Sequence, residues 1–145
     1  MAAKKKSSPK KKKSTAVLAR GKRKESTARA TIKEGNGVVR INSVNLEAYQ
    51  NPYMKALISE PLHLAADIVS KVNISVNVNG GGAMGQAQAV RLAIARALVA
   101  YTQDETLKEK MFERDKFLVA EDSRRVEPKK YMGPKARARK QKSYR

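Results

Sequence analysis

Val72-Asn73-Ile74-Ser75-Val76-Asn77-Val78-Asn79-Gly80-Gly81-Gly82 is the stretch from which the fold can be read. Apolar and polar residues alternate strictly up to the glycines. A strand sends successive side chains to opposite faces, so Val72, Ile74, Val76 and Val78 share one side and Asn73, Ser75, Asn77 and Asn79 the other. The pattern predicts a half-buried strand. After the triple glycine a long helix is predicted from about Ala83 to Thr102, where Val90, Ile94, Leu98 and Tyr101 recur at three and four residues and face the sheet. Ala87, Ala89, Ala93, Ala95 and Ala97 favour helix and permit close packing.

Working outward, Ala16 to Lys33 reads as one or two strands, with Ala28, Ala30 and Ile32 alternating against Arg29 and Thr31. Glu34-Gly35-Asn36-Gly37 reads as a turn, because Gly and Asn tolerate the positive φ that a tight reversal needs. Val38 to Asn42 is then expected to return as the hairpin partner. Asn51-Pro52 reads as a helix start, capped by Asn and opened by Pro. A short helix is predicted over Tyr53 to Glu60, closed by Pro61, and the apolar run Leu62 to Val69 is ambiguous. A second helix is predicted from about Asp104 to Asp115, with Leu107, Met111 and Leu118 on one side. Interleaved strands and helices predict an α/β or α+β body around one mixed sheet.

The charge is segregated. The formal net charge is +19 over 145 residues. Met1 to Lys24 holds eleven Lys and Arg and no acid, and Arg124 to Arg145 holds ten against the single acid Glu127. Between them Glu25 to Ser123 is near neutral, with eleven cations and twelve carboxylates. Like-charged blocks stay solvated and commonly bind nucleic acid. The apolar residues of the last segment follow no helical or strand period and cannot offset its ordering entropy, so it is expected to order only against a polyanion. The organisation expected is a Lys-rich disordered tail over residues 1–15, a globular domain over 16–122, and an extended basic tail over 123–145. Pro9-Lys10-Lys11-Lys12-Lys13 also fits a nuclear-localisation run, a weak signal in a chain this basic. No run approaches the length of a membrane span, and neither arm offers an amphipathic face to a membrane surface. No apolar secretory core follows Lys4-Lys5-Lys6.

Little here supports catalysis. The chain has one histidine, His63, and no cysteine, so neither a metal site nor a nucleophile–base pair is well supplied and no cofactor is expected. No carboxylate pair stands out. The Gly80–Gly82 junction lets backbone approach a partner, and a helix start offers free N–H groups and a positive dipole end, which suit phosphate. It could equally be a tight turn that lets the helix lie close to the sheet. It lacks the lysine of a P-loop and the spaced glycines of a dinucleotide fingerprint. Arg20-Gly21-Lys22-Arg23-Lys24 is a compact cationic cluster. Arg91 and Arg96, five apart, sit on different helix faces, and each reads either as a phosphate contact or as part of a solvated face. Tyr131 and Tyr144 could stack on exposed bases, which favours RNA over duplex DNA.

Four ordered blocks resemble the S-nine family of small-subunit ribosomal proteins: Ala19-Arg20-Gly21-Lys22-Arg23-Lys24-Glu25-Ser26-Thr27-Ala28-Arg29-Ala30; Val76-Asn77-Val78-Asn79-Gly80-Gly81-Gly82 with Gly85-Gln86-Ala87, Arg91 and Ala95-Arg96-Ala97-Leu98; Asp122-Ser123-Arg124-Arg125-Val126-Glu127-Pro128-Lys129-Lys130; and Ala136-Arg137 through Gln141, Ser143 and Arg145. The third block and the ending look like the archaeal and eukaryotic branch. The resemblance implies a fold of the ribosomal S-five domain-two type, an α/β sandwich with a small mixed sheet backed by helices, and a non-enzymatic, cytoplasmic role in the head of the small subunit. The partners it implies are the 3′ domain of 16S-type rRNA, neighbouring head proteins and P-site tRNA, toward which the tail would thread.

With RNA as the partner, rRNA contact is expected at Arg20, Lys22, Arg23, Lys24 and Arg29. It is expected also at Gly80, Gly81, Gly82, Gln86, Arg91 and Arg96 in the body, and at Arg124, Arg125, Lys129, Lys130, Lys135, Arg137, Arg139 and Lys140 in the tail. Lys142, Ser143, Tyr144 and Arg145 are expected near tRNA. Bacterial members end Ser-Lys-Arg, so Tyr144 implies stacking or a hydroxyl contact in place of a charge. A non-ribosomal nucleic-acid packaging protein is the rival, but it would leave the strand–glycine–helix unit without a purpose. A phosphate-ester enzyme using the glycine loop would want a base, a metal cluster or a Walker lysine.

Overall fold

The alternating stretch lies at the centre of the architecture. The computed structural model describes residues 16–49, 51–141 and 143. Strands β1 (Val17–Arg23), β2 (Ser26–Glu34), β3 (Val39–Ile41), β4 (Val44–Asn45) and β5 (Val72–Asn79) form one sheet in the order β1-β2-β5-β3-β4. β5 pairs antiparallel with β2 and parallel with β3, and β1–β2 and β3–β4 are antiparallel. Val72, Ile74, Val76 and Val78 are buried and the four residues between them exposed, as their period requires. Register sets Ala28, Ala30 and Ile32 opposite Val78, Val76 and Ile74, so one sheet face is continuously apolar. Each large aliphatic side chain buried there contributes on the order of 1.5–3 kcal/mol.

A helical layer covers that face: α1 (Pro52–Leu64), α2 (Ala66–Val69), α3 (Ala83–Thr102) and α4 (Glu105–Arg114). α3 matches its expected bounds and is buried at ten positions, including Ala87, Ala89, Ala93, Ala95 and Ala97. Its backbone lies directly on β1: a Cβ at Gly21 would collide with the Ala89 carbonyl and stand 2.6 Å from the Ala93 nitrogen. α4 is capped by Asp104, which accepts from the Thr106 N–H, and buries Leu107 and Met111 beside Leu118. The observed class is therefore the expected one, a small mixed sheet backed by helices.

Two local expectations are corrected. The segment after the Gly35–Gly37 turn does not return against β2. β5 inserts between them, and Asn73 Oδ1 accepts from the Asn36 and Val38 N–H groups at 2.9 and 3.1 Å to hold the connection in place. A central strand with four apolar side chains on one face outcompetes a three-residue neighbour for pairing. The reversal that does occur is at Asn42 and Ser43, both at positive φ (46° and 72°), between β3 and β4. Asn42 also bridges to β5, its amide donating to Val78 O and accepting from Val78 N.

The second correction concerns Pro61, where the helix does not end. α1 starts as expected, with Asn51 accepting from Tyr53 and Met54 N–H groups and Pro52 in the first turn, but it runs on to Leu64. Pro61 cannot donate to the Leu57 carbonyl. It is fully buried with Ile58, and packing of α1 on α3 offsets the missing bond. The run Leu62 to Val69 becomes the end of α1 and the short α2.

Candidate nucleic-acid interface

One end of the sheet gathers the β1–β2 turn, the glycine loop, the start of α3 and the root of the C-terminal tail. Ser26 donates its hydroxyl to Gly80 O at 3.0 Å, and Gln86 donates its amide to the same carbonyl at 3.1 Å. Gly80 and Gly81 have φ of 75° and 63°, and a Cβ on Gly81 would occupy the space of Ser26 Oγ. These two glycines and Gln86 therefore build a turn packed against the hairpin. Gly82 differs. Its φ is −105°, nothing lies within 4 Å of an added Cβ, and no side chain caps the helix there. The first bond of α3 is Gln86 N–H to Gly82 O, so the N–H groups of Ala83, Met84 and Gly85 have no partner within the helix.

The tail leaves the body through a clasp of charges. Asp122 accepts from the Arg124 backbone N–H at 2.8 Å and from its guanidinium at 2.7–3.1 Å, and Arg23 reaches the same carboxylate at 3.1 Å. Arg23 also donates to Gln88 Oε1 at 2.7 Å and to the Arg124 carbonyl at 3.4 Å. The Arg124 guanidinium stands 5.7 Å from the centre of the Phe117 ring. Hydrogen bonds from the Arg124 side chain and backbone, with the charges of Arg124 and Arg23, lower the Asp122 carboxyl from 3.8 to about 2 against a smaller opposing effect of burial.

Not every expected cation faces solvent. Arg91 is only 8 % exposed and pairs with Glu60 and with Asp115, the latter at 2.7 Å. It joins α3 to α1 and to the end of α4, and this corrects its expected place on an RNA-facing surface. Arg96 donates to Val119 O at 3.0 Å and to Arg20 O at 3.1 Å, tying α3 to the chain after α4 and to β1. Arg20 and Arg29 are exposed neighbours across β1 and β2, Lys22 beside them is half-buried, and Lys24 is exposed in the turn at φ 53°.

Residues 123–141 have no helix or strand, and Arg124, Arg125, Lys129, Lys130, Lys135, Arg137, Arg139 and Lys140 are exposed. Glu127 pairs with Lys130 at 3.4 Å and Arg137 at 2.9 Å, and Arg139 donates to Tyr131 O. Tyr131 is 89 % exposed as a residue, which leaves its ring available for stacking. Ser143 is exposed, while Lys142, Tyr144 and Arg145 lie outside the described residues, as does the Met1–Thr15 tail. Asp122 is absent from the expected contact residues and is the member that sequence reasoning misses. Its signal was an Asp two residues before an Arg, the spacing at which a carboxylate takes a backbone N–H.

The family model described as "Ribosomal protein S9/S16" matches residues 21–145. The chain belongs to that ribosomal protein S9 family. Within it, the protein is 47% identical over 129 residues to the small ribosomal subunit protein uS9 of Methanothrix thermoacetophila, covering 89% of this chain and 98% of the relative. The uS9 proteins of Pyrobaculum aerophilum and Desulfurococcus amylolyticus are each 49% identical over 130 and 129 residues, covering 89% of this chain and 91% and 92% of theirs. The family's role is structural, in the ribosome, with RNA binding and translation as its setting; the chain is not an enzyme. Among the described residues no helix is long and apolar enough to cross a membrane.

Proposed function

We propose that this chain is a constituent of the small-subunit head in cytoplasmic ribosomes, that its body sits on the 3′ domain of 16S-type rRNA, and that its tail runs along rRNA to end beside P-site tRNA. The observation that carries the reading is the join between the two parts: a folded, near-neutral body clasps the first residue of an exposed cationic segment that has no regular structure of its own. Such a segment acquires a path where phosphates line one, releasing counterions as it does so. The Asp122 clasp fixes where the path begins.

Lys24 and the open start of α3 would meet phosphate beside that point, with Gly82 allowing close approach. Arg125, Lys129, Lys135 and Arg139 would follow the RNA backbone, and Tyr131 would stack on a splayed base. Arg91 has no part in the contact. Lys142, Ser143, Tyr144 and Arg145 would approach tRNA, with contacts to its backbone that carry no sequence information. Neighbouring head proteins complete the surroundings.

The test is reconstitution of small subunits with chain ending at Arg139. Normal assembly with weakened P-site tRNA binding is the expected result. Unchanged tRNA affinity in fully assembled subunits would refute the placement of the tail, and failure of the full chain to enter subunits would refute the whole reading.

A further inference from the structure

The face of the sheet turned away from the helices is built differently from the rest of the body. Arg20 on β1 pairs with Arg29 on β2, which pairs with Asn77 on β5. One rung along, Thr31, Ser75, Arg40 and Asn45 are neighbours across β2, β5, β3 and β4. Lys33 lies opposite Asn73, and Lys22 opposite Thr27. Parity along each strand puts all five cations on one face; the one carboxylate on a strand, Glu34 at the end of β2, has the opposite parity but is exposed and lines a groove with Thr31, Lys33, Arg40, Asn73 and Ser75. Arg20, Arg29, Lys33 and Arg40 are exposed.

The carboxylates lie elsewhere: Asp104 to Asp115 alone carries five against three cations, on the helical side. The folded domain, residues 16–122, holds fifteen Lys and Arg against twelve Asp and Glu, and this small excess hides an uneven distribution in which one face is a cationic plane. No aromatic residue occurs on any of the five strands. The face thus has nothing on which to stack bases. It offers instead guanidinium and ammonium groups for phosphates, interleaved with Asn, Ser and Thr that can donate to and accept from hydroxyls.

From this geometry we propose that the open sheet face docks across the backbone and shallow minor groove of a double-helical, A-form RNA segment, recognised by phosphates and 2′-hydroxyls and not by base sequence. A-form RNA presents a wide, shallow groove edged by both groups, and a flat polar surface can lie on it. The inference rests on the RNA-binding reading above but concerns a surface separate from the tail. It orients the body: sheet toward RNA, helices away.

The experiment compares the full chain with the double variant Arg29→Glu and Arg40→Glu, and with Lys108→Glu and Lys110→Glu, which make the same change of charge on the exposed side of α4. Binding is measured to an RNA duplex of about 16 base pairs, to DNA of the same sequence and to an unstructured single strand, with thermal melting as the check on folding. The sheet variant should bind duplex RNA about tenfold more weakly or worse, with a salt dependence shallower by about 1.5, near 0.7–0.9 for each phosphate contact removed.

The α4 variant should bind almost as the parent does, and single-strand binding, carried by the tail, should fall less than duplex binding. Equal losses from both variants, or no preference of the parent for RNA duplex over DNA, would overturn the proposal while leaving RNA binding by the tail intact. Normal duplex binding by the sheet variant, with loss of a neighbouring protein from reconstituted subunits, would make the face a protein contact and overturn it too. Absence of RNA binding by the parent chain would fail the underlying reading instead. Should the Glu variant melt early, Arg29→Gln with Arg40→Gln gives the same comparison with a smaller expected loss.

Discussion

Gly81 and Gly82 are adjacent and chemically identical, yet substitution separates them. At φ 63°, with Ser26 Oγ in the place of a Cβ, Gly81→Ala must adopt a left-handed conformation and displace the hydroxyl that holds Gly80. A loss of about 1–2 kcal/mol is expected from the backbone alone, read by urea unfolding. Gly82→Ala meets open space at φ −105° and should change stability by less than about 1 kcal/mol. If backbone there approaches phosphate, it should nonetheless weaken RNA binding. Asp122 permits a test by pH. Its carboxyl is held at about 2 against an ordinary 3.8, so the clasp is fully made above the ordinary value and is lost as pH falls toward 2. Hydrogen exchange at the Arg124 amide should therefore lose protection between about pH 4 and 2, beyond the intrinsic trend. Asp122→Asn should expose that amide at neutral pH and remove the acid transition. Protection unaffected by the substitution would mean the carboxylate does not hold the root.

Elements divide by how far away their causes lie. β5, α3 and α4 were legible because period and caps are local: alternation over eight residues, an apolar repeat over twenty, an Asp before a helix. Pairing is not local, and β3 was assigned to β2 because the strand that separates them arrives thirty residues later. Pro61 misled for a similar reason, since the compensation for its missing N–H is supplied by packing on α3. The same distinction governs the site. Composition located the cations of the tail and the hairpin. It could not reveal that Arg91 is claimed by Glu60 and by Asp115, 24 residues away in the chain. That role has a separable consequence. Arg91→Met keeps the bulk of the stem but leaves Asp115 without its cation and Glu60 with Arg114 alone. A loss of about 2 kcal/mol is expected, moderated because both carboxylates are partly exposed. Denaturant titration measures it, and RNA affinity of the folded fraction should remain that of the parent.

At the scale of the molecule, strand order carries a consequence for biosynthesis. β5 is the last strand in the chain and the middle strand of the sheet, with β2 on one side and β3 on the other. Until Asn79 has been polymerised, the β1–β2 hairpin and the β3–β4 hairpin have nothing to unite them, and their apolar sides stay bare until α3 follows. The nascent chain thus carries two unjoined ribbons from Asn45, where β4 ends, until Asn79, where β5 ends. Chains arrested before residue 72 should be cut readily by protease along their whole emerged length, whereas those arrested with residue 102 clear of the exit tunnel should resist between Val17 and Thr102. Long-range closure of this kind is slow and prone to aggregation. A chaperone, or the RNA itself, has its opportunity to act in that interval.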